Sequence, residues 1–517
     1  MKEMILQFTK MLIIAICLLF SLNQQAYAQQ NVTALDKEEM RSDLHYLTSP
    51  ELQGRDVPGE TGDMAAKWVS EKLKNIGMKP AFTDSAFLQQ VPLLTADLDT
   101  QKTSASFVMS DRKIDLKWGK DYYFLPRTPT PKAYDFSLSY CSYGIEDQRL
   151  ARHDFQNLKT GQAAVVRAGS GELSPQQAGR HRLVAFKAAS ARRQGAECLI
   201  VLYPNDQWNV AEEITGKLDE VFQLKVGLQD QEPAFPVVYM RATALTEAGI
   251  DIEKLDGSAK ISFKLQSAFY DQKVQHGLNV CAVIPGETDK YVVVGAHYDH
   301  LGVKEILPNG EAIYYPGADD NASGVTGLLQ ICRMWQRSPI HKQGLIAVSF
   351  TAEEDGLLGA KYFADNLPIP VEKITAMVNL DMIGRDGFAS MRDAKMGKGS
   401  PDPLYASLMY SAASPEMRNV LQATAKLSPL AVELSAVGGF PYTDAGEFQR
   451  LEIPSVHLFS GFQSDYSGLG DTPDKINWDK LGNMSLLGYQ ILANLSEHSE
   501  PLGFDRTIKT SGHGMKY

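Results

Sequence analysis

The sequence predicts an α/β fold: a mostly parallel mixed sheet sandwiched by helices, with a β-rich domain inserted into it. Three observations carry this. From about residue 275 onward, short apolar runs alternate with helix-patterned segments, as expected of strands covered on both faces by crossover helices. Residues 130–265 have a different texture and no cluster of His, Asp and Glu at ligand spacing. The chain's 517 residues suffice for two or three domains of about 100–200 residues each.

The N-terminus reads as an address. Lys2 and Lys10 flank the start of an apolar run, Met11 to Leu22, and Ala26-Tyr27-Ala28 fits an A-x-A cleavage site. Residues 1–28 are therefore expected to be a signal peptide, and the mature protein to be exported, periplasmic or extracellular. The run is shorter than the ~20 residues a membrane span needs, and no later segment reaches ~18 uninterrupted apolar residues, so no integral membrane segment is expected in the mature chain.

Residues 34–80 read as helical. Asp36-Lys37-Glu38-Glu39 opens one helix, with Leu44, Tyr46 and Leu47 near its end; Gly54-Arg55 and Pro58-Gly59 break it. Met64, Ala65, Trp68, Val69 and Leu73 recur at helical spacing in a second helix, which Gly77 stops. Strands and turns follow to residue 124. Pro126, Pro129 and Pro131 mark a composition shift, so the sequence divides as 29–125 plus 270–500 for the main domain and 130–265 for the insert. Within the insert, Ala163–Val166, Cys198–Tyr203 and Pro236–Met240 read as strands and Leu183–Arg193 as a helix. In the main domain the strands are Tyr291–Val294, Leu345–Phe350, Ile374–Leu380 and Pro454–Phe459. Val325, Leu328, Leu329, Cys332 and Trp335 mark the apolar face of a helix between the first two. Residues 501–517 form a tail.

Composition excludes some functions. The net charge is −11, with 51 basic and 62 acidic residues, so no nucleic-acid partner is expected. Beyond the signal, Cys141, Cys198, Cys281 and Cys332 lack CxxC spacing and lie in or near apolar runs. They read as buried free thiols and exclude a cysteine zinc knuckle.

The chemistry gathers at strand ends, where α/β sheets build their sites. Gly295-Ala296-His297-Tyr298-Asp299-His300 follows the first strand, and Gly317-Ala318-Asp319-Asp320-Asn321-Ala322-Ser323-Gly324 opens the helix after it. Ala352-Glu353-Glu354-Asp355-Gly356-Leu357 follows the second strand, and Asn379-Leu380-Asp381-Met382 ends the third. Taken singly, Asp319 or Asp320 reads as a helix cap, the glutamates as a solvated edge, and His300 as a rim histidine. Four clusters at successive strand ends point instead to a metal site. Zinc takes imidazole and carboxylate ligands with one position left open, and two metals need a bridging carboxylate. Hydrolysis also needs a base that is not a ligand, and adjacent Glu353 and Glu354 can supply one of each.

In this order the motifs H-x-D, G-A-D-D-N-A-S-G, A-E-E-x-G-L-x-G and L-D-M resemble the co-catalytic zinc aminopeptidases, a family that includes glutamate carboxypeptidases. The resemblance spans residues 35–125 and 270–495; residues 130–265 resemble a protease-associated domain. Position by position it implies metal ligands at His297, Asp320, Glu354 and Asp381, with Asp320 bridging and Asp381 on the metal of His297. It implies Glu353 as general base, Asp299 as the partner that orients His297, and a cis peptide after Asp320. The expected substrate is a peptide, cut near its N-terminus.

The pattern departs from the family near the C-terminus. Ser467 in Asp465-Tyr466-Ser467-Gly468 stands where the family has its last histidine ligand, Gln463 replaces a neighbouring histidine, and the family's S-D-H reads Thr443-Asp444-Ala445. His457 reads as a core histidine, and His498 and His513 lie beyond the motifs. The expectation is therefore one tightly held zinc and a second site without a histidine. The alternatives are a peptide-binding homologue with impaired catalysis and, less favoured, a glutaminyl-cyclase-like transferase. The sequence is silent on oligomeric state.

Overall fold

The computed structural model describes residues 34–508 except 83–85, 125, 127, 210–223, 229–234, 259, 398, 441 and 499–501. The expected signal peptide and His513 lie outside the described residues. Two compact units form: the described residues up to Val91 together with those from Gly277, and Pro92–His276.

In the first unit, local chemistry sets the helices that open the chain. Asp36 caps Lys37–Leu47 by accepting the Glu39 N–H at 3.0 Å. Glu60–Ile76 ends where Gly77 takes a left-handed conformation, φ 96°. The sheet follows from the apolar runs. Gly344–Phe350, Tyr291–His297, Ile374–Leu380 and Ser455–Phe459 lie side by side in that order, all parallel. Tyr405–Ser411, antiparallel to Ser455–Phe459, and Ala431–Val437 continue the sheet at one side; residues 280–284 pair antiparallel with Gly344–Phe350 at the other. Every residue of the Gly344–Phe350, Ile374–Leu380 and Ser455–Phe459 strands is buried. Val293, Ile346, Val348, Phe350 and Met377 pack with Phe363, Phe440 and Phe448 on one face, while Gly324–Arg337 and Trp478–Ser496 pack together against the Tyr291 strand.

This order places the site. The chain leaves Tyr291–His297 toward Gly344–Phe350 on one side, and leaves Ile374–Leu380 toward Ser455–Phe459 on the other. The connections diverge between two neighbouring strands, which opens a crevice at their carboxyl ends.

The second unit is an eight-stranded sheet. Ala163–Arg167, Cys198–Tyr203 and Val237–Arg241 run parallel at its centre, flanked by apolar clusters around Phe107, Val165 and Phe263 and around Phe155, Val166 and Leu199. The unit is larger than expected. Ser104–Met109 pairs with Ile261–Gln266, and Tyr122–Phe124 with Val237–Arg241, so residues 104–124 belong to this unit and not to the main domain. Pro126, Pro129 and Pro131 join two strands of one sheet: proline lacks an N–H and is driven into connections whether or not a domain changes there. The four cysteines are buried free thiols. Among the described residues, no helix is long and apolar enough to cross a membrane.

Candidate metal centre

Each cluster is delivered by a strand end and fixed by backbone hydrogen bonds. His297 is the last residue of its strand, in register with Phe350. Ala318–Ser323 turn sharply before the Gly324–Arg337 helix, and the Asp320–Asn321 peptide is cis, as the resemblance implied. Asn321 ties this turn to the neighbouring strand end: its Nδ2 donates to Leu380 O at 3.0 Å, and its Oδ1 accepts from Gly324 N and Met382 N. Gly317 must be glycine. It sits at φ 56°, and a Cβ there would lie 2.3 Å from Asp320 O and 2.5 Å from His300 Cδ2.

The two adjacent aspartates separate by role. Asp319 turns inward, its Oδ1 accepting from Gly384 N at 2.7 Å. Asp471 Oδ2 accepts the backbone N–H of both Asp319 and Asp320, at 2.9 and 3.0 Å. The Asp320 carboxylate is thereby left facing the crevice.

Two sets of ligand atoms form there. His297, Asp320 and Asp381 make one; His300, Asp320 and Glu354 make the other, each set lying within 4.8 Å. His297 Nε2 is 3.5 Å from Asp320 Oδ1 and 3.6 Å from Asp381 Oδ1. Ligands about 2.0–2.1 Å from a tetrahedral cation stand about 3.3 Å apart, so the spacing fits. Asp381 Oδ1 is buried without a hydrogen-bond partner, a free ligand atom. Asp320 belongs to both sets, the position of a bridging carboxylate.

Glu353 belongs to neither set. Its Oε2 lies 3.8 Å from His297 Nε2, beside the ligands. Burial, and then the Glu354 charge, raise its carboxyl well above the usual range. Asp320 is raised by the same two causes, and Glu354 is pushed up to about 7, chiefly by burial. Burial works against a charged His297, but Glu353 and Asp381 outweigh it and hold the imidazole well above its ordinary value. So many buried carboxylates repel one another, and a divalent cation relieves that repulsion.

Two expectations change. Asp299 does not hydrogen-bond His297 through its carboxylate, which lies 3.8 Å from Nδ1; the Asp299 backbone carbonyl faces Nδ1 at 3.3 Å. The carboxylate instead accepts the Glu354 N–H at 3.2 Å, so Asp299 positions the Glu353-Glu354 loop. The second set does contain an imidazole, His300, which the sequence assigned to the rim. Its only sequence signal is its place three residues after His297 in an extended segment. Asp444, passed over in the sequence, is also buried here, with both carboxylate oxygens unpartnered. His457 is a core histidine, buried against Asn379 at 3.3 Å. Ser467 is exposed.

Arg55 braces the site from behind. Fully buried, it donates through Nε to Tyr298 O at 2.7 Å and through its terminal nitrogens to Leu47 O, Pro316 O and Gly317 O. One guanidinium thus holds the loops that carry His297 and Asp320.

Fold and site together set two clusters of imidazole and carboxylate ligand atoms at a sheet switch point. Residues 279–491 match the model of peptidase family M28. A probable zinc metalloprotease of Pyrenophora tritici-repentis is 32% identical over 142 residues, 28% of this chain and 30% of that protein. Leucine aminopeptidase 1 of Coccidioides posadasii is 32% identical over 156 residues, 28% of this chain and 39% of that protein. The chain thus spans only about a third of the length of these relatives. The solved aminopeptidase from Aneurinibacillus sp. strain AM-1 shares the fold, with a TM-score of 0.51 and 18% identity, covering 92% of this chain and 99% of that one.

Proposed function

We propose that this protein is an exported zinc-dependent aminopeptidase that removes residues from the N-termini of peptides. The observation that carries the reading is the placement of Glu353 beside, and outside, two ligand sets that share Asp320. Zinc is the cation that suits imidazole–carboxylate sets, and it is named in the relative from Pyrenophora tritici-repentis. His297, Asp320, Asp381 and Glu354 would hold it. When bound, it polarises the scissile carbonyl and lowers the pKa of a water. Glu353 takes the water proton and returns it to the leaving amine. Asp299 holds Glu353-Glu354 in place through the Glu354 N–H. Export rests on the residues 1–28 pattern, and the insert is read as a protease-associated module.

The test is Glu353→Gln, assayed on amino-acid anilides with a free and with an acetylated amine. Turnover on the free-amine substrate should fall by at least ~10²-fold, the scale of general-base catalysis, with metal content unchanged. Metal loss in this variant would mean that Glu353 is a ligand. Equal cleavage of the acetylated substrate would reject an aminopeptidase.

A further inference from the structure

We propose that His300 supplies the imidazole of a second metal centre, with Glu354 and Asp320, in the role that Ser467 cannot fill. This rests on the metallopeptidase reading above and changes what that reading implies about metal count and about the residues that hold the metal.

The sequence left the second centre with two carboxylates and no histidine. A serine hydroxyl is a poor zinc ligand beside imidazole, and Ser467 is exposed at φ 52°. The fold brings another histidine. His300 is 2% exposed, and its Nδ1 lies 2.7 Å from Glu354 Oε1. Its other nitrogen, Nε2, is buried without a hydrogen-bond partner. A nitrogen of the ring, a carboxylate oxygen of Glu354 and one of Asp320 lie within 4.8 Å of one another.

The fold makes specific room for this ring. Gly317 has no Cβ, and one would stand 2.5 Å from His300 Cδ2. The His300 backbone N–H reaches Arg55 O at 3.4 Å, so the residue is tethered to the same brace as the ligand loops. Tyr315 meets the ring edge-on, with centroids 6.5 Å apart. The contact at 2.7 Å is a hydrogen-bond distance; two ligands of one tetrahedral cation stand about 3.3 Å apart, an opening of roughly half an ångström. Each centre would then have one imidazole, one carboxylate of its own and a share of Asp320. The family's terminal ligand has been replaced from within the first motif, so the chain holds two metals.

The test is metal stoichiometry by elemental analysis after dialysis against metal-free buffer, on wild type, His300→Ala and Ser467→Ala. Wild type and Ser467→Ala should each retain two equivalents, and His300→Ala one. A second variant, His300→Cys, is loaded with cobalt; a thiolate-to-cobalt charge-transfer band absent from wild type is expected, and it decides the matter if His300→Ala does not fold or loses both metals. Equal stoichiometry in wild type and His300→Ala, or cobalt-loaded His300→Cys without the band, overturns the inference and leaves the peptidase reading standing. Wild type that retains no metal sinks that reading itself.

Discussion

Replacing Arg55 tests whether one buried guanidinium holds the two metal-binding loops together. Its pKa falls to about 10, chiefly through burial, opposed by the charges of Asp299, Asp320, Asp471 and Glu354, so it stays charged at neutral pH. It serves four backbone carbonyls, those of Leu47, Tyr298, Pro316 and Gly317. Hydrogen bonds from a charged donor contribute about 1.5–3 kcal/mol each. Removing all four by Arg55→Met reaches the scale of a domain's whole stability, about 5–15 kcal/mol, and that variant should not accumulate in folded form. Arg55→Lys is more informative. An ammonium keeps the charge but lacks the planar fork, and at best it reaches two of the four carbonyls. The loss should be about 3–6 kcal/mol. With urea slopes of about 1–3 kcal/mol per molar, the unfolding midpoint should fall by at least ~1 M. Pulse proteolysis in urea, reading peptides from residues 37–76 and 291–381, follows the unit concerned. A midpoint within ~0.3 M of wild type would refute the brace.

Two further outcomes follow from other positions. Gly317→Ala should weaken metal binding at least tenfold, because its methyl meets the backbone oxygen of Asp320 at 2.3 Å and the loop must move to relieve it; titration against a chromogenic chelator measures this, and unchanged affinity would show that the loop yields freely. In the second unit, Lys187 is 1% exposed and donates to Tyr143 O, and burial lowers its pKa from 10.5 to about 8. The fold therefore favours the neutral amine: the penalty is complete below pH 8 and disappears as pH rises toward 10.5. That shift is worth on the order of 3 kcal/mol, and the lost hydrogen bond offsets about 1. Lys187→Met should be more stable at pH 7 by on the order of 2 kcal/mol, with the gap closing by pH 10 in thermal melts. A gap independent of pH would show that folding does not shift Lys187.

Much of this protein was legible along the chain, because its determinants are local. Apolar runs long enough for one strand named the central strands, Asp36 and Gly77 marked helix ends, and clusters at strand ends and at one helix start brought out the segments of His297, Asp319-Asp320, Glu353-Glu354 and Asp381, whose individual roles the family resemblance implied. The strands Tyr405–Ser411 and Ala431–Val437, at one side of the sheet, were not legible, since only part of each is buried and their apolar pattern is weak. The unit boundary was misread because prolines mark any connection, while strand pairing between residues 104–109 and 261–266 joins segments far apart in the chain. Likewise, no spacing rule separates Asp319 from Asp320; that choice is made by Asp471 and Gly384, brought in from other loops. His300 is the plainest case. In sequence it is one histidine in a loop, indistinguishable from a rim residue. Only the fold sets its ring against Glu354, 54 residues away, and strips it of water, and that burial beside a carboxylate is what makes it a ligand candidate.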